Sequence, residues 1–349
     1  MKRTIGLLAL SLAIGGGNAW AALPVERASA AMALKVPGNP AKEYALSYRA
    51  VGQGEYELVS AEAGFPVAIR QRIESHGDTD RLVTTLTARE SVYFNFAQQV
   101  GSGFRHDDCQ FYLPGFWYRH NLRSPKEAPS FHTSDSWLFR EDRLSSPLTG
   151  LYDEQTGEYL TVARIDDFGC EALTTHKAGE VIVSGKTSLG YTGFVNADGQ
   201  ATLAFGFPYH EAPKTYIRKL TLDPEVRAFQ HLAKGESLTL TWELCRSQAA
   251  SFSDFVAAVW RYSYDLYRPQ PVETPYTPAV MKDVMSRYFT DSYVDDYALK
   301  YTSGVHLRTD DCANQGTAEI GFVGRVLLNA FNALEYGEQQ GRQDLVDKA

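Results

Sequence analysis

Cysteine is scarce: there are four in 349 residues, Cys109, Cys170, Cys245 and Cys312, and no two lie close together. That spacing excludes a C-x-x-C metal or redox motif. Basic runs are missing and the formal net charge is -8. Nucleic-acid binding needs a basic face, so the sequence argues against that partner. A polyanionic ligand stays open, because a local arginine cluster can act against the global sign. Beyond the N-terminus, no apolar stretch is long enough to span a membrane as a helix. No G-x-S-x-G turn, Walker loop, dinucleotide fingerprint or H-E-x-x-H zinc motif occurs, and nothing in the sequence calls for a cofactor.

What is present begins with a processing signal. Lys2 and Arg3 precede an apolar run from Ile5 to Ile14, and Ala19-Trp20-Ala21 gives the small-x-small pattern of a signal-peptidase site. Cleavage is expected after Ala21, with export to the periplasm or beyond. No cysteine lies near that site to carry a lipid anchor. In an exported protein, four cysteines permit two disulfides with three pairings, and Cys245 with Cys312 could tie a domain junction; free buried thiols fit equally well. Aromatics are abundant, with 20 Tyr, 18 Phe and 5 Trp. Tyr and Trp pair an apolar face with a polar edge, which suits a saccharide groove, although most of these rings can simply fill a β-rich core.

Residues 22–247 read as a β-sandwich. Ala45–Ala50, Arg81–Ala88, Ser91–Ala97, Tyr159–Ile165, Val181–Ser184, Ala201–Phe207, Tyr216–Leu222 and Ser237–Leu244 show alternation or β-branched enrichment, separated by turn residues. Gly101–Pro147 is expected to be a long irregular arm. Near Ser247 the hydrophobic period changes from two to 3.6 residues. Phe252, Phe255, Val256, Val259, Trp260 and Tyr264 fall at helical spacing, capped by Ser251 or Ser253 and ended by Pro269 and Pro271. Thr277-Pro278 opens a second helix that runs through about Phe289. A third begins near Thr317, with an apolar stripe of Ile320, Val323, Leu327, Phe331 and Leu334, until Gly337–Gly341 breaks it. A fourth starts over Asp344–Ala349. Residues 248–349 therefore read as a helical region whose apolar faces need partners. The expectation is a fragment of a longer protein; the alternative is a small helical cap on the sandwich.

Three segments carry a resemblance: His231–Leu244 closing the sandwich, Ser251–Pro269, and the glycine-bearing Glu319–Gln339. In this order they resemble the six-hairpin glycosidase-like proteins, in which a β-sandwich precedes an α/α toroid. The resemblance implies a β-sandwich followed by the first helices of such a toroid. It also implies a carbohydrate-active protein: a glycoside hydrolase, phosphorylase or polysaccharide lyase. It matches no catalytic motif residue by residue.

Glycoside hydrolysis uses two carboxyl groups, one protonating the leaving oxygen and one activating water or attacking the sugar. Tyr301–Glu319 offers His306, Asp310, Asp311 and Glu319 as catalytic candidates, with Tyr301 and Arg308 as substrate contacts. Adjacent carboxylates raise each other's pKa, although Asp311, Thr317 and Glu319 can equally serve the following helix as caps or dipole partners. A second cluster, Arg105–His120, sets Asp107, Asp108, His106 and His120 beside Trp117 and Tyr118. It reads as a sugar-contacting loop, a His/Asp metal site, or an aromatic arm pinned to the sandwich. In a third, Arg140 or Arg143 could clamp a uronate carboxylate, or Arg140, Glu141, Asp142 and Arg143 could pair among themselves. The leading expectation is a glycoside hydrolase acting on a poly- or oligosaccharide. The alternatives are a lyase of uronate-containing glycans, relying on Tyr301, His306, Arg308 and Arg140, and a non-catalytic sugar-binding protein.

Overall fold

A computed structural model describes residues 25–124, 126–166, 178–218, 221–291, 293, 295 and 323–349. The expected signal segment, Cys170, and the whole of Tyr301–Glu319 lie outside the described residues. Tertiary contacts divide the chain into two units that meet in sequence at Arg268 and Pro269.

Among the described residues of the first unit, seventeen strands follow in chain order. They are β1 (Ala28–Lys35), β2 (Lys42–Gly52), β3 (Glu55–Ser60), β4 (Val67–His76), β5 (Thr79–Ala88) and β6 (Val92–Arg105). Next come β7 (Cys109–Leu113), β8 (Trp117–Arg119), β9 (Trp137–Arg140), β10 (Leu148–Asp153), β11 (Glu158–Arg164) and β12 (Gly179–Ile182). The last are β13 (Tyr191–Ala197), β14 (Gln200–Phe207), β15 (His210–Arg218), β16 (Thr221–Leu232) and β17 (Ser237–Gln248). Hydrogen-bonded neighbours trace one antiparallel layer, β4-β5-β17-β11-β10-β7-β8, and a second, β3-β2-β1-β6-β14-β13-β9. The short β3–β4 pairing joins the two.

Strand alternation explains why these layers stack. On β17, Leu240, Trp242 and Leu244 point inward at every second position, and on β6 Phe94 and Phe96 do the same. The indole of Trp242 lies 6.4 Å from the Phe96 ring and 5.1 Å from Phe205, and Phe111 meets Phe194 at 4.0 Å. One aromatic-rich core thus fills the space between the layers. A smaller group, β12, β15 and β16, encloses a satellite core of Leu189, Tyr209, Val226 and Ala228.

The first helix, α1 (Phe252–Tyr267), has Ser251 as its cap, its hydroxyl accepting from the Asp254 N–H. It packs on the opposite face of the first layer. Phe252, Phe255 and Val259 meet Tyr112, Leu148, Tyr152, Tyr159 and Ala163. Burying each large apolar side chain there contributes about 1.5–3 kcal/mol. The Tyr262 hydroxyl donates to the buried Glu243 carboxylate of β17 at 2.7 Å. A helix that the sequence sets at the start of the helical region is therefore part of the sandwich's packing.

The second unit contains α2 (Pro278–Asp291), α3 (Val323–Gln340) and α4 (Gln343–Lys348). Thr277 caps α2 through its hydroxyl, as its place before Pro278 predicts. The expected apolar stripe on α3 is corrected in part. Leu327, Leu328 and Phe331 face solvent, while Val326 and Ala333 are buried among Phe289, Tyr293 and Ala330. Gly337 does not break α3. A Cβ there would stand 3.0 Å from the Arg342 carbonyl oxygen and 2.9 Å from a Val346 methyl, so glycine lets α4 fold back tightly. The helix ends instead at Gly341, in the left-handed region with φ 66°.

Two further expectations change. Gly101–Pro147 is not an irregular arm, since it holds the end of β6 and all of β7, β8 and β9. Tyr216–Leu222 is not one strand but the meeting point of β15 and β16, with Tyr216 paired to Leu222.

Candidate functional site

The catalytic candidates His306, Asp310, Asp311 and Glu319, and the contact candidates Tyr301 and Arg308, lie outside the described residues. The remaining candidates belong to the sandwich.

Trp117 and Tyr118 are successive residues of β8, so their side chains leave opposite faces of the sheet. Trp117 is fully buried; its ring lies 5.3 Å from Phe194 and 6.2 Å from Trp137, and its N–H donates to the Arg119 carbonyl at 2.7 Å. It offers no face to a sugar. Tyr118 is 46% exposed. Asp107 and Asp108 sit in a single 3-10 turn, where Asp108 lies 3.6 Å from the Arg105 guanidinium. His106 is enclosed by Phe111, Phe131 and Phe194, and His120 meets the Cys109 carbonyl through Nε2 at 2.8 Å. The two imidazoles are thus committed to the core and to the backbone, and the His/Asp metal reading gives way. Among the described residues, no three His, Cys, Asp or Glu side chains gather as a metal site requires.

Arg140 is engaged within the protein. Its Nε donates to Asp142 at 2.5 Å, and its guanidinium lies over the Tyr209 ring at 5.5 Å. Arg143 pairs with the buried Glu211. Glu141 is buried against Arg164 at 2.7 Å and also accepts from the Gly190 N–H at 2.7 Å. Burial pushes the Glu141 carboxyl up, and the Arg164 charge opposes that shift. Within the run only Arg140 and Asp142 pair with each other, while Glu141 and Arg143 hold Arg164, Gly190 and Glu211 elsewhere in the sandwich, so Arg140 is paired inside the protein where a uronate clamp was expected. Cys109 and Cys245 are free thiols, and the two remaining cysteines, Cys170 and Cys312, lie outside the described residues. Burial pushes the Cys245 thiol up to about 12.

An exposed aromatic ledge escaped the sequence reading. Tyr112 of β7 stands opposite Tyr118 of β8, with ring centroids 5.4 Å apart. The Tyr112 hydroxyl is buried, with Tyr118 and Trp260 as its polar neighbours, and burial raises its pKa. Trp260 is 43% exposed, and Tyr264, one turn further along α1, is 65% exposed. Beside them the Arg119 guanidinium covers the Phe252 ring at 4.8 Å and pairs with Glu154 at 2.9 Å. Tyr118 and Trp260 are thus exposed around the Tyr112 hydroxyl, Arg119 and Glu154 pair at the Phe252 end of α1, and Tyr264 lies exposed one turn beyond Trp260. The sequence reading placed Trp260 and Tyr264 only at helical spacing with Phe252, Phe255 and Val259; the structure buries those three and leaves Trp260 and Tyr264 exposed.

No protein-family profile and no curated protein sequence matches the chain. Solved structures similar to it include a polysaccharide lyase, with 10% identity, 67% of this chain and 27% of that chain covered, and a TM-score of 0.35. A GH36 alpha-galactosidase of Geobacillus stearothermophilus, solved in complex with stachyose, shows 11% identity over 70% of this chain and 33% of that one, with a TM-score of 0.39. A galactose mutarotase related enzyme of Lactobacillus acidophilus shows 11% identity over 62% and 78%, with a TM-score of 0.34. The chain thus spans about a third or less of the lyase and galactosidase chains.

Proposed function

We propose that this chain belongs to an exported carbohydrate-processing protein, and that its reaction is hydrolysis of a poly- or oligosaccharide. The observation that supports this reading is the exposure of Tyr118, Trp260 and Tyr264 on the side of the sandwich that carries α1, with the Arg119–Glu154 pair at the Phe252 end of that helix. Pyranose rings carry apolar C–H faces and hydroxyl edges. Such a surface stacks the first and hydrogen-bonds the second. The carboxyl pair comes from Asp310, Asp311 and Glu319, with His306 beside them, and Tyr301 and Arg308 contact the substrate. In this reading, the sandwich with α1 packed on it runs from residue 22 to Arg268, and residues 269–349 open an α/α toroid. Further helices then cover the exposed Val280, Met281, Leu327 and Phe331. Among the described residues, no helix is long and apolar enough to cross a membrane.

Incubation of the purified protein with a panel of neutral and acidic glycans tests the proposal. New reducing ends without ultraviolet-absorbing product are expected, and Asp310→Asn, Asp311→Asn or Glu319→Gln should lower turnover at least about a hundredfold. Unsaturated products would replace hydrolysis by elimination, with Tyr301 or His306 as the base. The absence of both turnover and glycan retention would overturn the proposal.

A further inference from the structure

The join between the two sandwich layers contains a split. β3 and β4 pair only from Glu55–Arg72 to Leu58–Ile69. Beyond that point Val59 and Ser60 stay with β2, while Val67 and Ala68 stay with β5. The two strands diverge, and residues 61–66 bridge the mouth of the wedge. A cavity of about 240 Å³ opens there, and a second of about 470 Å³ adjoins it, with Glu57 and Arg70 shared as their common wall.

The walls are unusually basic for a chain of net charge -8. Arg49, Glu57 and Arg70 stand directly opposite one another on β2, β3 and β4, so their side chains share one face. Arg49 pairs with Glu57, and Arg70 lies 3.9 Å from the other carboxylate oxygen. Arg89, just past β5, completes the lining of the 240 Å³ cavity. All three guanidinium groups hold the Glu57 carboxyl below its usual range. Glu62, also in the lining, is paired with Lys42 at 2.6 Å. One carboxylate thus faces three guanidinium groups, which leaves two positive charges uncompensated. At the inner end lies Phe65, packed against Tyr44 at 5.2 Å, so the charged mouth has an apolar floor.

We infer that the wedge between β3 and β4 binds a carboxylate-bearing saccharide, a uronate residue of a glycan chain, through Arg70 and Arg89. Planar guanidinium forks match a carboxylate in bidentate fashion. Arg49 stays with Glu57 and fixes the wall. The inference rests on the carbohydrate reading above and adds a ligand class and a second contact region, on a different part of the sandwich from the Tyr118 ledge.

Native gel electrophoresis through embedded polygalacturonate, neutral β-glucan or dextran sulfate tests it on the intact protein. Retardation by polygalacturonate is expected. Arg70→Gln and Arg89→Gln should each weaken that retardation about tenfold, the scale of one lost charge-assisted hydrogen bond. Arg89→Lys, which keeps the charge but loses the fork, should fall between. Unchanged thermal melting and unchanged neutral-glucan retention confirm that the variants fold. Retention of polygalacturonate that is indifferent to both glutamine variants overturns the inference. So does equal retention by dextran sulfate, which would mark a general anion surface. If neutral glucan retards the protein and polygalacturonate does not, the wedge assignment falls while the carbohydrate reading stands.

Discussion

His106 carries the sharpest polar tension in the sandwich. Its ring is buried among Phe111, Phe131 and Phe194, and neither nitrogen makes a well-formed hydrogen bond among the described residues. Desolvation lowers its pKa, and the charge of His120 adds to that; Asp135 and Asp107 pull the other way. The neutral imidazole is the form that the fold accepts. With a folded pKa below the ordinary value of about 6.5, stability is full above that value and is lost as pH falls through it, because the unfolded chain takes up the proton first. Carboxylates held low by arginine or lysine, such as Glu57 and Glu236, act in a separate and lower window, below about pH 4.5. Urea unfolding at pH 7.5 and pH 5.5 should therefore show a loss for the native protein that His106→Phe largely removes. An equal loss in the variant would contradict this account of His106.

At the scale of elements, the helices were the more legible part. Ser251 and the Thr277-Pro278 pair mark the starts of α1 and α2, because caps are local chemistry that a sequence displays directly. The strands β5 and β17 were legible because one face is less buried than the other. Alternation fails where both faces are buried. Every residue of β10 is buried, since the core lies on one side and α1 on the other, and β7 is nearly so. That is why Gly101–Pro147 read as an irregular arm, and why Trp117 and Tyr118 read as one surface. The fit of α1 onto β10 depends on Gly150. A Cβ there would stand 2.6 Å from the tip of the Phe255 ring. Gly150→Ala should cost about 1–3 kcal/mol by overpacking. Phe255→Leu, which withdraws the ring, should recover part of that cost in the double variant, as read by denaturant midpoint. Strict additivity would contradict the contact.

At the scale of the whole molecule, the first unit is an aromatic-cored sandwich whose interior consumes most of the rings that the composition advertises. Of the five tryptophans, Trp117, Trp137 and Trp242 are buried, and Trp20 lies in the segment expected to be cleaved. Trp260 is the one exposed indole among the described residues. The segment proposed as catalytic, Tyr301–Glu319, could be chosen from sequence only by residue type, since two carboxyl groups become a pair through tertiary approach rather than spacing. The ledge, by contrast, needed the structure, because β8 and α1 are far apart in the chain. Its exposure makes the central claim directly measurable. In the protein lacking residues 1–21, iodide quenching of tryptophan fluorescence should report chiefly on Trp260. Addition of an oligosaccharide that the protein retains should reduce the quenching constant at least about twofold, and Trp260→Phe should abolish both the quenching and its protection. Full iodide access to Trp260 in the presence of saturating oligosaccharide would contradict a sugar-binding ledge.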